Sequence, residues 1–190
     1  MSRAKIDEGI DALVQAAQAS RAVSAQVAKV ASRYAEVLRG GGTLYFCGNG
    51  GSAADAQHLA AEYVIRYSAD RRPFAAVALT TDSSILTAGG NDLGFDQVFG
   101  RQVEALCRSG DLLILHSTSG QSRNLVAAAR AAKAHGVPVV AWLGKGGGEL
   151  AGIVDEAVII PSNVTSLVQL MHLAFEHLVV EAVERELLHS

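Results

Sequence analysis

Cysteine occurs twice, at Cys47 and Cys107, and proline three times in a chain of 190 residues whose aromatic side chains amount to only 5%. Two cysteines without metal-finger spacing build no disulfide framework, which points to a reducing compartment. Basic runs are missing too, none being longer than Arg71–Arg72, and 16 Lys and Arg stand against 19 Asp and Glu for a net charge of −3. Such a surface has no electrostatic footprint for a nucleic-acid backbone or an anionic membrane. No uninterrupted apolar run approaches the ~18 residues of a membrane span. The charged Arg3, Lys5 and Asp7 also stand where a signal peptide is apolar. The expectation is a cytoplasmic protein that engages neither nucleic acid nor membrane.

Hydrophobic residues make up 49% of the chain, enough for one compact domain with a substantial core. Residues 1–39 read as an N-terminal helical segment of one or two helices over Ile6–Leu38, stopped by Gly40-Gly41-Gly42. Residues 40–190 alternate short apolar runs with Ala-rich helical stretches. The strands are Leu44–Cys47, Phe74–Leu79, Asp111–Leu115, Pro138–Leu143 and Ala157–Ile160. Helices follow through Tyr67, up to His135-Gly136, briefly after Gly144–Gly148, and finally over Asn163–Leu188. Thr80–Phe99 reads as a polar, turn-rich passage. This alternation predicts an α/β fold in three layers, a doubly wound, mostly parallel sheet of five strands, with ligands beyond the strands' carboxyl ends.

Two loops lie at such ends. Gly48-Asn49-Gly50-Gly51-Ser52 joins a strand to a helix N-terminus, where free backbone N–H groups and the helix dipole favour an anion. It reads equally as a tight turn with Ser52 as N-cap. Gly48, Gly50 and Ala53 also imitate a dinucleotide fingerprint, but the acidic residue at the matching distance, Asp70, sits in a polar turn rather than at a strand end. The second loop, Ser117-Thr118-Ser119-Gly120 with Ser122 opening the next helix, gathers four hydroxyls without a lysine. Hydroxyls and backbone amides solvate a phosphate monoester, and the lack of Gly-Lys-Ser/Thr argues against nucleoside triphosphates. The competing reading is a Ser/Thr-rich capping loop.

His58 and Glu62, four apart, project from one helix face, and Gln169 and His177, eight apart, share a face of the last helix with His172 nearby. Together they form a nitrogen and oxygen set of the sort zinc accepts, or Glu62 acts as a lone base, or each is an ordinary solvated side chain. A phosphate cradle beside a carboxylate and an imidazole suits proton transfer on a sugar phosphate, for instance aldose–ketose isomerisation.

Gly48-Asn-Gly-Gly-Ser-Ala-Ala-Asp-Ala-Gln-His58, with Ala61-Glu62 after it, resembles the signature of phosphoheptose isomerases, members of the sugar-isomerase (SIS) domain group. Thr80–Thr87, Gly90-Asn91-Asp92, Ser117–Asn124 and Gly147-Gly148-x-Leu150 are similar to later blocks in the same order. The resemblance implies a single SIS-type domain and a cytoplasmic homotetramer with active sites at subunit interfaces. Its reaction would interconvert sedoheptulose 7-phosphate and D-glycero-D-manno-heptose 7-phosphate for heptose synthesis. It further implies that Asn49, Gly50, Gly51, Ser52, Glu62, Asn91, Asp92, Ser117, Thr118, Ser119, Ser122 and Gln169 hold substrate. One zinc per subunit would be held by His58, Glu62, Gln169 and His177, with Glu62 and His177 as acid and base. Leu170 follows Gln169 where the family usually has Glu, and Gly144–Gly148 is glycine-heavier than the family pattern. The rivals are a non-catalytic SIS protein that binds a replication initiator or senses a phosphosugar, and a dinucleotide-dependent oxidoreductase.

Overall fold

The computed structural model describes residues 2–188. Among the described residues the α-helices are α1 (Arg3–Ala19), α2 (Ser24–Arg39), α3 (Gly51–Val64), α4 (Ser83–Asp92), α5 (Val98–Leu106), α6 (Arg123–Ala134) and α7 (Thr165–Leu188). The strands are β1 (Leu44–Gly48), β2 (Ala76–Ala78), β3 (Leu112–Ser117), β4 (Val139–Leu143) and β5 (Glu156–Ile159). They form one sheet in the order β2-β1-β3-β4-β5, and every pairing is parallel, where the sequence predicted mostly parallel. β1, β3 and β4 are buried along their whole length, as strands covered on both faces must be.

Side chains alternate between two cores. Leu44, Phe46, Leu112, Ile114, Val140 and Trp142 face one layer with α2, α3 and α7, joined by Tyr34, Tyr63 and Val179. Tyr45, Cys47, Leu113, Leu115, Val139 and Ala141 face the other with α5 and α6, joined by Phe99, Val103 and Leu125. Removing each large side chain from water stabilises by about 1.5–3 kcal/mol. α7 is long and apolar enough by composition to cross a membrane. Its Val168, His172, Glu176, Val179, Val180 and Val183 are instead buried at three- and four-residue spacing, a stripe packed inside the fold.

Several local expectations change. The N-terminal segment is two helices, within the one or two expected, with a 3-10 turn over Ser20–Val23 between them, and the first begins at Arg3 rather than Ile6. Thr80–Phe99 is not merely turns: it holds α4, whose N-cap Asp82 accepts a hydrogen bond from the Ile85 amide at 2.9 Å. The cap nucleates a helix that Gly89 and Gly90 disfavour. α3 stops at Val64, short of Tyr67, and β2 is three residues long. The N-cap of α3 is Gly50 in a left-handed conformation (φ +58°), so Ser52 is a buried first-turn residue rather than the cap.

Candidate active site

β1 leads to β2 on one side and β3 lies on the other, so the chain direction across the sheet reverses between β1 and β3. Open parallel sheets bind ligands at such a switch point. The loop of Gly48–Ser52 follows β1 and the loop of Thr118–Ser122 follows β3, so both border it. A Cβ on Gly48 would lie 2.6 Å from the Ser52 carbonyl oxygen, so only glycine fits that strand-to-helix turn. Asn49 Nδ2 donates to Asn124 Oδ1 at 2.9 Å and Asn124 Nδ2 donates back to Asn49 Oδ1 at 2.8 Å, tying the two loops together. Asn124 stands in the sequence block but carried no role there; only the pairing reveals one.

In the second loop the Gly120 amide donates to Ser117 Oγ at 3.0 Å and the Gln121 amide to Ser119 Oγ at 3.2 Å. Ser117 is buried, whereas Thr118, Ser119 and Ser122 are partly exposed. Ser122 is the N-cap of α6 without spending its hydroxyl on the cap. Gly120 has φ +65°, and a Cβ there would fall 1.9 Å from the Gly147 carbonyl oxygen. The glycine-heavy stretch after β4 therefore lets its backbone lie directly on the hydroxyl loop. Asn91 and Asp92, exposed at the end of α4, bond to each other at 2.7 Å.

α3 and α7 pack against each other, and they bring His58, Glu62 and His177 together. One ligand atom from each lies within 4.8 Å of the others. His58 Nε2 is 2.9 Å from His177 Nε2 and 3.4 Å from Glu62 Oε1. Two ring nitrogens at that distance are within hydrogen-bond reach, one ring donating N–H and the other accepting, with a carboxylate oxygen alongside. The same three atoms also fit zinc in ligand type, two imidazole nitrogens and a carboxylate oxygen converging on one point.

Gln169 sits elsewhere in its own chain. Its amide lies against Gly51, where a Cβ would come within 2.7 Å of its Nε2. Eight residues of α-helix separate Gln169 from His177 by about 12 Å along the axis. One chain thus places Gln169 beside the glycine loop and the three other side chains two turns further on.

Behind His177 lies a buried polar cluster that the sequence reading missed. Glu176 Oε1 accepts from Tyr34 Oη at 3.2 Å and lies 3.1 Å from His116 Nε2, while Trp142 Nε1 donates to Tyr34 Oη at 3.1 Å. Burial pushes the Glu176 carboxyl up to about 8, the Tyr34 hydrogen bond and His177 pulling the other way. Burial drives His116 down to about 4 and His172 to about 3, so both rings are neutral at pH 7. His172 spends Nε2 on the Leu143 carbonyl at 3.1 Å, a packing role. The neighbour of His177 in sequence was the available signal, since a Glu on the buried face of an apolar helix demands partners.

Asp70 precedes β2 and is exposed, so it stands at no strand end and offers no support for a dinucleotide ribose contact. Residues 8–144 match the SIS domain family, a span that takes in β1 to β4 and both loops. The phosphoheptose isomerase of Akkermansia muciniphila is 49% identical over 170 residues, covering 90% of each chain. That of a Roseiflexus species is 50% identical, covering 85% of this chain and 82% of the relative. The solved phosphoheptose isomerase of Neisseria gonorrhoeae superposes with a TM-score of 0.91 at 37% identity, covering 96% of this chain and 98% of that one. The chain belongs to the SIS domain family and, within it, to the phosphoheptose isomerases, a family of enzymes.

Proposed function

We propose that this enzyme interconverts sedoheptulose 7-phosphate and D-glycero-D-manno-heptose 7-phosphate through an enediolate, in the cytoplasm, supplying heptose for a surface polysaccharide. The observation that carries this is the meeting of His58, Glu62 and His177 in a chain half identical to enzymes of that name. A non-catalytic SIS protein would leave that cluster without a task. The whole chain, residues 1–190, works as one SIS-type domain.

In this reading the phosphate rests on Ser117, Thr118, Ser119 and Ser122, near the N-terminus of α6, with Asn49, Gly50, Gly51 and Ser52 closing the other side. Hydroxyls, backbone amides and a helix terminus suffice for a phosphate monoester. Gly51 and His58 are seven residues apart on α3, about 10 Å along its axis. An open-chain heptose anchored by its terminal phosphate spans that gap and lays its first two carbons by Glu62 and His177. Glu62 takes the proton from one carbon and returns it to the other, while His177 moves a proton between the two oxygens and assists ring opening.

Zinc, one per subunit, would be held by His58, Glu62 and His177 and supply a Lewis acid beside the carbonyl oxygen. Gln169 as fourth ligand, and Asn91 and Asp92 as substrate contacts, come from neighbouring subunits of a homotetramer. Support for assembly is an uncovered apolar stripe of Ile6, Ile10, Val164 and Leu170. Leu170 thus belongs to a surface where burial, rather than charge, is useful.

The test is a coupled assay with sedoheptulose 7-phosphate, run with and without chelator. Turnover abolished by chelator and restored by zinc supports the whole reading. Turnover indifferent to chelator removes the metal, and no turnover removes the isomerase.

A further inference from the structure

The segment between α3 and β2 is held by a buried pair that the reaction described above does not use. Glu184, on α7 two turns beyond His177, is 1% exposed. Its carboxylate accepts from the backbone amides of Tyr67, Ser68 and Ala69 at 2.9, 3.1 and 3.1 Å, and from the Ser68 hydroxyl at 3.0 Å. Arg71, whose side chain is fully buried, donates from Nε to Glu184 at 2.7 Å. The same guanidinium donates to the Tyr63 carbonyl at 2.9 Å and to the Glu62 carbonyl at 2.8 Å. It therefore satisfies orphan carbonyls at the C-terminal end of the helix that carries Glu62.

What this anchorage presents is the ring of Tyr67, stacked on the imidazole of His177 with centroids 5.5 Å apart and planes 22° from parallel. His58 meets the same imidazole edge-on, at 5.1 Å and 89°. Rotation of the His177 ring would break its 2.9 Å contact with His58, and the Tyr67 face stands against that rotation. Tyr67 is 37% exposed, so its ring contributes little to the core, while the groups that anchor its backbone are fully desolvated. Burying an ion pair is costly unless many hydrogen bonds offset it, as they do here.

We propose that Tyr67, held in place by Glu184 and Arg71, is a positioning residue that fixes the plane of the His177 imidazole relative to Glu62. The inference rests on the isomerase reading of that site, and its action is through ring order, so the hydroxyl is dispensable.

The experiment compares the full-length parent with Tyr67→Phe, Tyr67→Ala and Tyr67→Leu. Leucine keeps bulk without a flat ring and replaces alanine should the latter not fold. With sedoheptulose 7-phosphate, the Ala and Leu variants should lose about tenfold or more in kcat with KM within about twofold, and Phe should stay near the parent. Independently of turnover, protein labelled with 13C-histidine should show one sharp His177 Cε1–H signal in the parent and the Phe variant, split or broadened in Ala and Leu. The signal is assigned by its loss in His177→Asn. A parental kcat in Ala or Leu, a Phe variant as impaired as Ala, or a single sharp His177 signal in Ala and Leu would each overturn the proposal. A parent that fails to turn over sedoheptulose 7-phosphate overturns the isomerase reading instead, and the histidine signal then decides the positioning role by itself.

Discussion

The side-chain amides of Asn49 and Asn124 exchange two hydrogen bonds, at 2.9 and 2.8 Å, across the point where the sheet's connections change direction. Each amide occupies the other, so the glycine loop and the hydroxyl loop keep a constant separation. Asn124→Asp would face a carboxylate oxygen toward the Asn49 carbonyl and add a negative charge beside the phosphate cradle. Breaking such a pair costs about 1–3 kcal/mol. The expected outcome is a KM for sugar phosphate raised on the order of tenfold with a smaller change in kcat, read from steady-state kinetics.

Glu62→Gln keeps the size of the side chain near His58 and removes its ability to take a proton. Turnover should fall by about 10²- to 10⁴-fold, the range a general base supplies. Binding of inorganic phosphate, followed by calorimetry, should be nearly unchanged, because Gly51, on the glycine-loop side of the cradle, is eleven residues and about 16 Å from Glu62 along α3. Parental turnover would remove Glu62 from its role.

Gly120→Ala should be among the most damaging small substitutions. Its Cβ would meet backbone, the Gly147 carbonyl oxygen, and its φ of +65° is disfavoured for alanine. Backbone has no rotamer to move, so the loop or the β4 connection must shift. A loss of about 3 kcal/mol or more in urea unfolding, together with loss of phosphate binding, is expected.

Two buried glutamates on α7 oppose each other in pH dependence. Burial alone would raise the Glu184 carboxyl, but the amides of Tyr67, Ala69 and Ser68 and the Ser68 hydroxyl together hold it down at about 2, below its ordinary 4.5. Its stabilisation is present above pH ~4.5 and is lost as pH falls through ~2, on the order of 3 kcal/mol in all. The stability difference between the parent and Glu184→Gln should therefore shrink as the solution is acidified.

Glu176 has the reverse sign, being pushed up to about 8. Between pH ~4.5 and ~8 the native protein keeps a proton that the unfolded chain has released, so this group's contribution weakens as pH rises through that window. Glu176→Gln mimics the neutral acid and should flatten that slope, becoming more stable relative to the parent at pH ~8 than at pH ~5 by urea unfolding.

Much of this architecture is legible in the residues alone. Leu112–Leu115 and Val139–Leu143 are apolar on both sides of the chain, which only a strand covered on two faces tolerates. His58 and Glu62 share a face because the helix period places them there. α4 was hidden since Gly89 and Gly90 argue against a helix and its cap, Asp82, is a single side-chain bond. The end of α3 was misplaced because Arg71 and Glu184, 113 residues apart, take over its last carbonyls and the segment beyond.

The local periods of helix and strand are properties of neighbouring residues, so the amino-acid order alone settled the alternating fold, the two polar loops and the His58–Glu62 pair. Folding in three dimensions was needed to set His177 against His58, 119 residues away, to hang Gln169 over Gly51 instead, and to lean Tyr67 on the imidazole. Those distances depend on how the helices of one layer dock on a twisted sheet, and side chains far apart in the chain acquire a common environment only after that docking has occurred.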